Sequence, residues 1–250
     1  MAATNRIAII GTADRNKELV MDDFERMKTT AIAAIETLGF TLADAVLVSG
    51  GAPWADHVAV SLFLDGKVAG LHLHLPGKLE VDKQTIQIKP LNDSRAANCL
   101  TISSYHHRFK KITGLDSLAQ IQQAIDQGAT VEQHAGYFKR NDAIARDCTA
   151  LVALHTIRKH PSKQSNGGTV YTFNKASVPK LYIPFRDTRR SVTGYAKLGF
   201  NDFEMIGIQA VFRSVRCFKG PLNKFFKRRA EDECDAGPSK RRKSLPPCPL

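Results

Sequence analysis

The sequence is poor in the features that mark several common classes of protein. Its five cysteines (Cys99, Cys148, Cys217, Cys234 and Cys248) are odd in number and scattered, and no two form a CxxC pair. That pattern excludes a paired disulfide framework and fits reduced thiols within a cell. No run approaches the roughly 18 apolar residues that a membrane span requires, so no membrane partner is expected. The opening MAATNRIAII lacks a basic segment followed by a long apolar stretch, so no secretory leader is expected. Cys248 stands third from the end, which is the wrong place for prenylation. There is no HExxH motif and no internal repeat.

What is present is an apolar content of 43% over 250 residues, enough for one α/β domain with a tail and no need of disulfides. Charge is distributed unevenly. Arg213 to Leu250 holds 11 Lys/Arg against 4 Asp/Glu, a surplus of seven, which leaves a surplus of five for the first 212 residues. Such asymmetry points to nucleic acid, an anionic surface or an import receptor as partner of the tail.

Hydrophobic periodicity predicts strands at Arg6–Ile10, Ala45–Ser49, Leu71–Leu75, Thr149–His155 and Lys180–Phe185. It predicts helices at Val20–Leu38, Trp54–Leu64, Leu115–Asp126, Phe138–Asp147 and Thr169–Ser177. The polar, mixed stretch from Glu80 to Arg108 has no clear period, and about 80–137 reads as an insertion. Strands alternating with helices imply an α/β fold, a Rossmann-like, doubly wound, mostly parallel sheet occupying residues 1–212. In such folds ligands lie at the carboxyl ends of the strands.

Several loops expected on that edge have residues suited to an anion. Gly11 permits a close turn, and Thr12 and Arg15 can bond a phosphate. Ser49, Gly50 and Gly51 precede a helix start whose free N–H groups can hold an anion. Asp56 would repel a phosphate and suits a helix cap or a ribose hydroxyl better. Trp54 can stack on a base or simply pack. Gly167, Gly168 and Thr169 form a second glycine-rich helix start, and Arg140 and Asn141 stand on a helix that can project over the same edge. Candidate acid or base groups are Asp56, His57, His106 and His107, with His57 reading better as a structural histidine. The segment SSYHHRFKK, Ser103–Lys111, suits either single-stranded nucleic acid or an amphipathic helix packing Tyr105 and Phe109. His72 and His74 share a strand face, but no third ligand has matching spacing, so no metal is expected.

Taken together, SGGAxxxDxxA (beginning at Ser49), the RN pair Arg140–Asn141 and GGT at Gly167–Thr169 resemble the SLOG superfamily. Their order is most similar to its YspA/YpsA-like branch and more distantly to the LOG-type phosphoribohydrolases and the DNA-processing protein A group. The resemblance implies a Rossmann-like sheet that binds a nucleotide or nucleotide-derived ligand, sometimes single-stranded DNA. Thr172 stands where the LOG-type hydrolases carry a glutamate, which removes the obvious carboxylate for glycosidic chemistry.

Residues 213–250 read as a basic tail, partly disordered. Arg228 and Arg229, ten intervening residues, then Lys240, Arg241, Arg242 and Lys243 resemble a bipartite nuclear import signal. The expectation is a non-catalytic nucleotide-binding protein of the nucleus, in a eukaryotic cell or a virus replicating in one. The alternatives are a single-stranded DNA or RNA binder and an N-glycosidic hydrolase of nucleoside monophosphates. Expected partners are the nucleotide and an import receptor; self-association into a homo-oligomer is left open.

Overall fold

A computed structural model describes residues 5–14, 19–82, 85–91, 96–156, 167–184 and 195–197, with backbone alone for 96–101 and 195–197. Arg15, the import-signal residues and the rest of the basic tail lie outside the described residues.

The strands are β1 Asn5–Gly11, β2 Ala45–Ser49, β3 Gly70–Leu75, β4 Lys78–Val81, β5 Ile86–Lys89, β6 Thr130–Gln133, β7 Ala150–His155, β8 Lys180–Pro184 and β9 Tyr195–Lys197. The helices are α1 Met21–Thr37, α2 His57–Leu64, α3 Ala96–Thr113, α4 Ser117–Asp126, α5 Tyr137–Asp147 and α6 Gly168–Lys175. The main sheet runs β6-β3-β2-β1-β7-β8-β9, parallel throughout except for the antiparallel β9. The expected Rossmann-like α/β fold is therefore present.

Strand alternation sorts the core into two layers. Ile7, Ile9, Leu47, Leu71, Leu73, Leu75, Val152 and Leu154 face α1, α2 and α4 together with Phe109 of α3. Ala8, Ile10, Val48, Leu151, Ala153 and Tyr182 face α5 and α6 through Ile144 and Phe173. The central strands β1, β2 and β7 are almost wholly buried, which is why they read as continuous apolar runs.

Three elements depart from the sequence reading. The stretch thought to begin an insertion opens as an antiparallel hairpin, β4 with β5, followed by the 18-residue α3. Within that supposed insertion, β6 pairs with β3 as the sheet's edge strand. Its sequence TVEQ is largely exposed and has no apolar alternation to announce it. The second helix begins at His57 rather than Trp54, because Trp54 takes a positive φ of 67° in the turn before it. Among the described residues no helix is long and apolar enough to cross a membrane.

Candidate functional site

The chain steps from β1 through β2 to β3 in one direction and later returns to place β7 on the other side of β1. The crevice between the carboxyl ends of β1 and β7 is thus the topological switch point, where open α/β sheets receive ligands. The loops after β1 and β2 and the start of α6 meet there, and contacts given by their own residues hold them together.

Asp56 is the hub. Its carboxylate accepts from Gly11 N at 3.1 Å and from Arg140 Nη1 at 3.0 Å, and the backbone of Ala52 donates to it as well. Side chains of both Asp56 and Arg140 are buried. Burial pushes the Asp56 carboxyl up, and the Arg140 charge with its hydrogen bonds opposes that. Asp56 sits at the N-cap position of α2 but makes no side-chain cap there. It links three segments inside the protein, so the expected helix cap is replaced by an ion pair, and its oxygens are already engaged by protein donors.

The glycines fit closely around this hub. A Cβ on Gly50 would fall 1.4 Å from Arg140 Nη1, and one on Gly11 would fall 1.9 Å from the Leu154 carbonyl oxygen. Gly51 has φ +69°, and its N–H donates to Ser49 Oγ at 3.2 Å. The Ser49 hydroxyl in turn donates to the Asp56 carbonyl at 2.7 Å. Gly50 and Gly51 are both needed here, because Arg140 occupies the space over the first and a Cβ on the second would fall 2.4 Å from Leu75 Cδ2.

Across the switch point, the Thr169 hydroxyl donates to the Gly11 carbonyl at 2.7 Å, and Asn141 Nδ2 donates to the Gly168 carbonyl at 3.4 Å. Thr12 donates its N–H to Leu154 O at 2.9 Å, and its hydroxyl accepts from Asp14 N. Gly167 is the N-cap residue of α6 and provides no side-chain cap. A Cβ on it would meet nothing within 4 Å among the described residues. A helix start with no side-chain cap among the described residues offers N–H groups of the kind that accept an anion. Thr172 is buried and turns its hydroxyl back to the Gly168 carbonyl at 2.8 Å.

The other candidates fall elsewhere. Trp54 is fully buried and meets the Phe109 ring edge-on at 5.1 Å, so it packs and does not face a base. His57 is fully buried, touches Gln120 Oε1 at 2.7 Å, and burial lowers it to about 4. His106 is buried against Ser117 Oγ at 2.8 Å, and burial lowers it to about 3. Neutral, enclosed rings of this kind are core histidines. His107 is exposed on α3. The SSYHHRFKK segment is thus a packing helix: Phe109 is fully buried among Trp54, Phe24 and His57. One of its cations does reach the loop edge, since Arg108 donates to the Asp14 carbonyl.

A second polar cluster lies on the α5 face of the sheet and corrects the expectation that His72 and His74 stand without further ligands. His72, His74 and Asp147 form one group, and His74, Glu132 and His134 another, the ligand atoms of each lying within 4.8 Å of one another. Glu132 and His134 come from β6 and the residue just past it, and Asp147 from the end of α5. Period two on β6 was the available signal, hidden by the strand's polarity.

No family model matches the chain. Among solved structures, DNA processing protein A (DprA) from Streptococcus pneumoniae aligns with a TM-score of 0.40 and 15% identity, over 69% of this chain and 46% of that one. The chain thus spans less than half the length of that protein. Among curated proteins, uncharacterized protein R261 of Acanthamoeba polyphaga mimivirus is 37% identical over 176 residues, covering 68% of this chain and 90% of that protein. At that identity and coverage, the chain belongs to the same protein family as mimivirus R261.

Proposed function

We propose that the chain binds a nucleotide or nucleotide-derived ligand at the β1–β7 switch point and acts without catalysis, as a sensor or accessory factor in the nucleus. The observation that carries this reading is the start of α6 at Gly167, which among the described residues has no side-chain cap and nothing within 4 Å of a Cβ built there, and which is tied to Gly11 through Thr169. A phosphate suits those N–H groups. Asp56 and Arg140, which the sequence offered as direct contacts, instead fix the shape of the loops, because each is engaged by the other. The non-catalytic part of the reading is supported by Thr172, which supplies no carboxylate and whose hydroxyl is bonded within the helix. The SGGA, RN and GGT motifs of the SLOG resemblance all lie at or behind this edge.

The test is a thermal-shift screen of the full chain against nucleoside mono-, di- and triphosphates, cyclic nucleotides, ADP-ribose derivatives and short single-stranded DNA. Saturation at 100 times the dissociation constant stabilises by about 2.7 kcal/mol, a shift of several degrees. The shift is expected to vanish in Gly167→Val, which covers the α6 start without crowding the core. No shift with any small ligand would remove the reading. A shift with single-stranded DNA alone, falling steeply with salt, would support the nucleic-acid alternative. Release of base from a nucleoside monophosphate would instead support the hydrolase.

Nuclear residence rests on the two basic clusters of the tail, Arg228–Arg229 and Lys240–Lys243. Alanine at Lys240, Arg241, Arg242 and Lys243 is expected to abolish nuclear accumulation of a fluorescent fusion, and an unchanged distribution would overturn it.

A further inference from the structure

We propose that His74, His134 and Glu132 form a binding site for a divalent transition-metal ion of the zinc class, separate from the switch-point loops. The three candidate ligand atoms converge. His74 Nδ1 lies 3.0 Å from His134 Nε2 and 3.6 Å from Glu132 Oε2, and His134 Nε2 lies 3.8 Å from the same oxygen. Ligands about 2.0–2.2 Å from a tetrahedral ion are separated by distances in this range.

The backbone builds this triangle. β3 and β6 pair in parallel with His74 beside Glu132, and alternation turns both toward the α5 side. His134 follows two residues later on the same face, held by its N–H donating to the Leu75 carbonyl at 2.8 Å. His74 is buried, His134 half-buried and Glu132 exposed, so the site opens to solvent on the Glu132 side.

The groups behind the triangle have the form of an orienting layer. His74 Nε2 lies 3.0 Å from Asp147 Oδ2, so donating Nε2–H there leaves Nδ1 with its lone pair toward His134 and Glu132. A carboxylate behind a ligating histidine fixes the tautomer and raises its basicity. Asp147 is itself held by the Arg6 guanidinium, which also touches His72 Nδ1. His72 Nδ1 lies 2.8 Å from Asp147, and His72 Nε2 lies 3.5 Å from Glu132 Oε1. The Arg6 charge is thus matched by Asp147. Glu132, by contrast, has no Lys or Arg partner among the described residues; its ion-pair neighbours are His72, His74 and His134. The His74 Nδ1 lone pair meets His134 Nε2 across a shared proton at 3.0 Å; a metal ion replacing that proton would be held by both nitrogens and the Glu132 carboxylate. Two nitrogens and one oxygen suit zinc and its neighbours better than calcium or magnesium, with a fourth position left for water.

The test uses the full chain, stripped with a chelator and titrated with Co2+ as a spectroscopic probe, then with Zn2+ in competition. One equivalent should bind with visible absorption of a four- or five-coordinate ion, and Zn2+ should displace it and raise Tm. Glu132 is exposed and His134 half-buried, so Glu132→Gln and His134→Ala are expected to keep the fold, with unchanged far-UV circular dichroism as the check, and each should weaken binding by at least the roughly 10–100-fold that an orienting group contributes. Asp147→Asn should weaken it within that range. His107→Ala, an exposed histidine outside the cluster, should leave it unchanged. Absence of binding, or full affinity in the His134→Ala, Glu132→Gln double variant, would overturn the site. Loss in Asp147→Asn with retention in His134→Ala would overturn this ligand set and move the ion to His72, His74 and Asp147.

Discussion

The guanidinium of Arg140 and the carboxylate of Asp56 meet at 3.0 Å inside the protein, and Arg140 occupies the space directly over the α-carbon of Gly50. One ion pair therefore sets the shape of the glycine loop, the position of α5 and the approach of the β1 loop. Removing either member leaves the other charge buried and uncompensated, which costs about 3–5 kcal/mol. Asp56→Ala and Arg140→Ala should each lower the denaturant midpoint accordingly. The double variant should lose clearly less than the two losses added, as measured in a double-mutant cycle.

Glycine replacement should discriminate sharply by position. Gly11→Ala and Gly51→Ala place a Cβ 1.9 Å from the Leu154 carbonyl oxygen and 2.4 Å from Leu75 Cδ2, respectively. Backbone cannot move aside as a side chain can, so Gly11→Ala should be the more damaging, at roughly 3 kcal/mol or more. Gly66→Ala faces the positive φ of +66° but open space, so only about 1–2 kcal/mol of backbone strain is expected. Equal losses at Gly11 and Gly66 in chemical denaturation would contradict the packing described.

Stability should fall as pH drops below the ordinary histidine range. Burial lowers His57 to about 4 and His106 to about 3, against an ordinary 6.5. The unfolded chain therefore takes up these protons first. The stability each contributes is complete above pH 6.5 and is lost as pH falls toward the folded values, on the order of 3 kcal/mol per histidine. Denaturant midpoints measured from pH 7 to pH 4 should decline, and His57→Gln should flatten the slope.

Trp54 is the chain's one tryptophan and is fully buried with Phe109 edge-on. Its emission should be blue-shifted in the native protein and move to the red on unfolding. A nucleotide that binds should leave this emission without the quenching of direct base stacking; strong quenching by adenine nucleotides but not by inorganic phosphate would contradict the packing assignment.

The sequence by itself determined the layer architecture. Short apolar runs such as RIAII and TALVALH, separated by helical periods, have few ways to bury themselves other than as central parallel strands. It also located the loops at the switch point, because Gly11, Gly50, Gly51 and Gly167 follow or precede those runs. The tertiary structure decided what the polar side chains do there. Asp56 and Arg140 are 84 residues apart, and nothing in their spacing says that they neutralise one another inside the protein. Trp54, His57 and His106 looked chemically available and are enclosed, because burial depends on what packs over them from α3 and α4. The cluster of His72, His74, Glu132, His134 and Asp147 is the converse case. Its members are separated by up to 75 residues, and the polar edge strand β6 that completes it carries no apolar period. Periodicity reveals which face of a segment is buried, whereas the meeting of polar groups depends on strand order and register, which form only when the sheet is assembled.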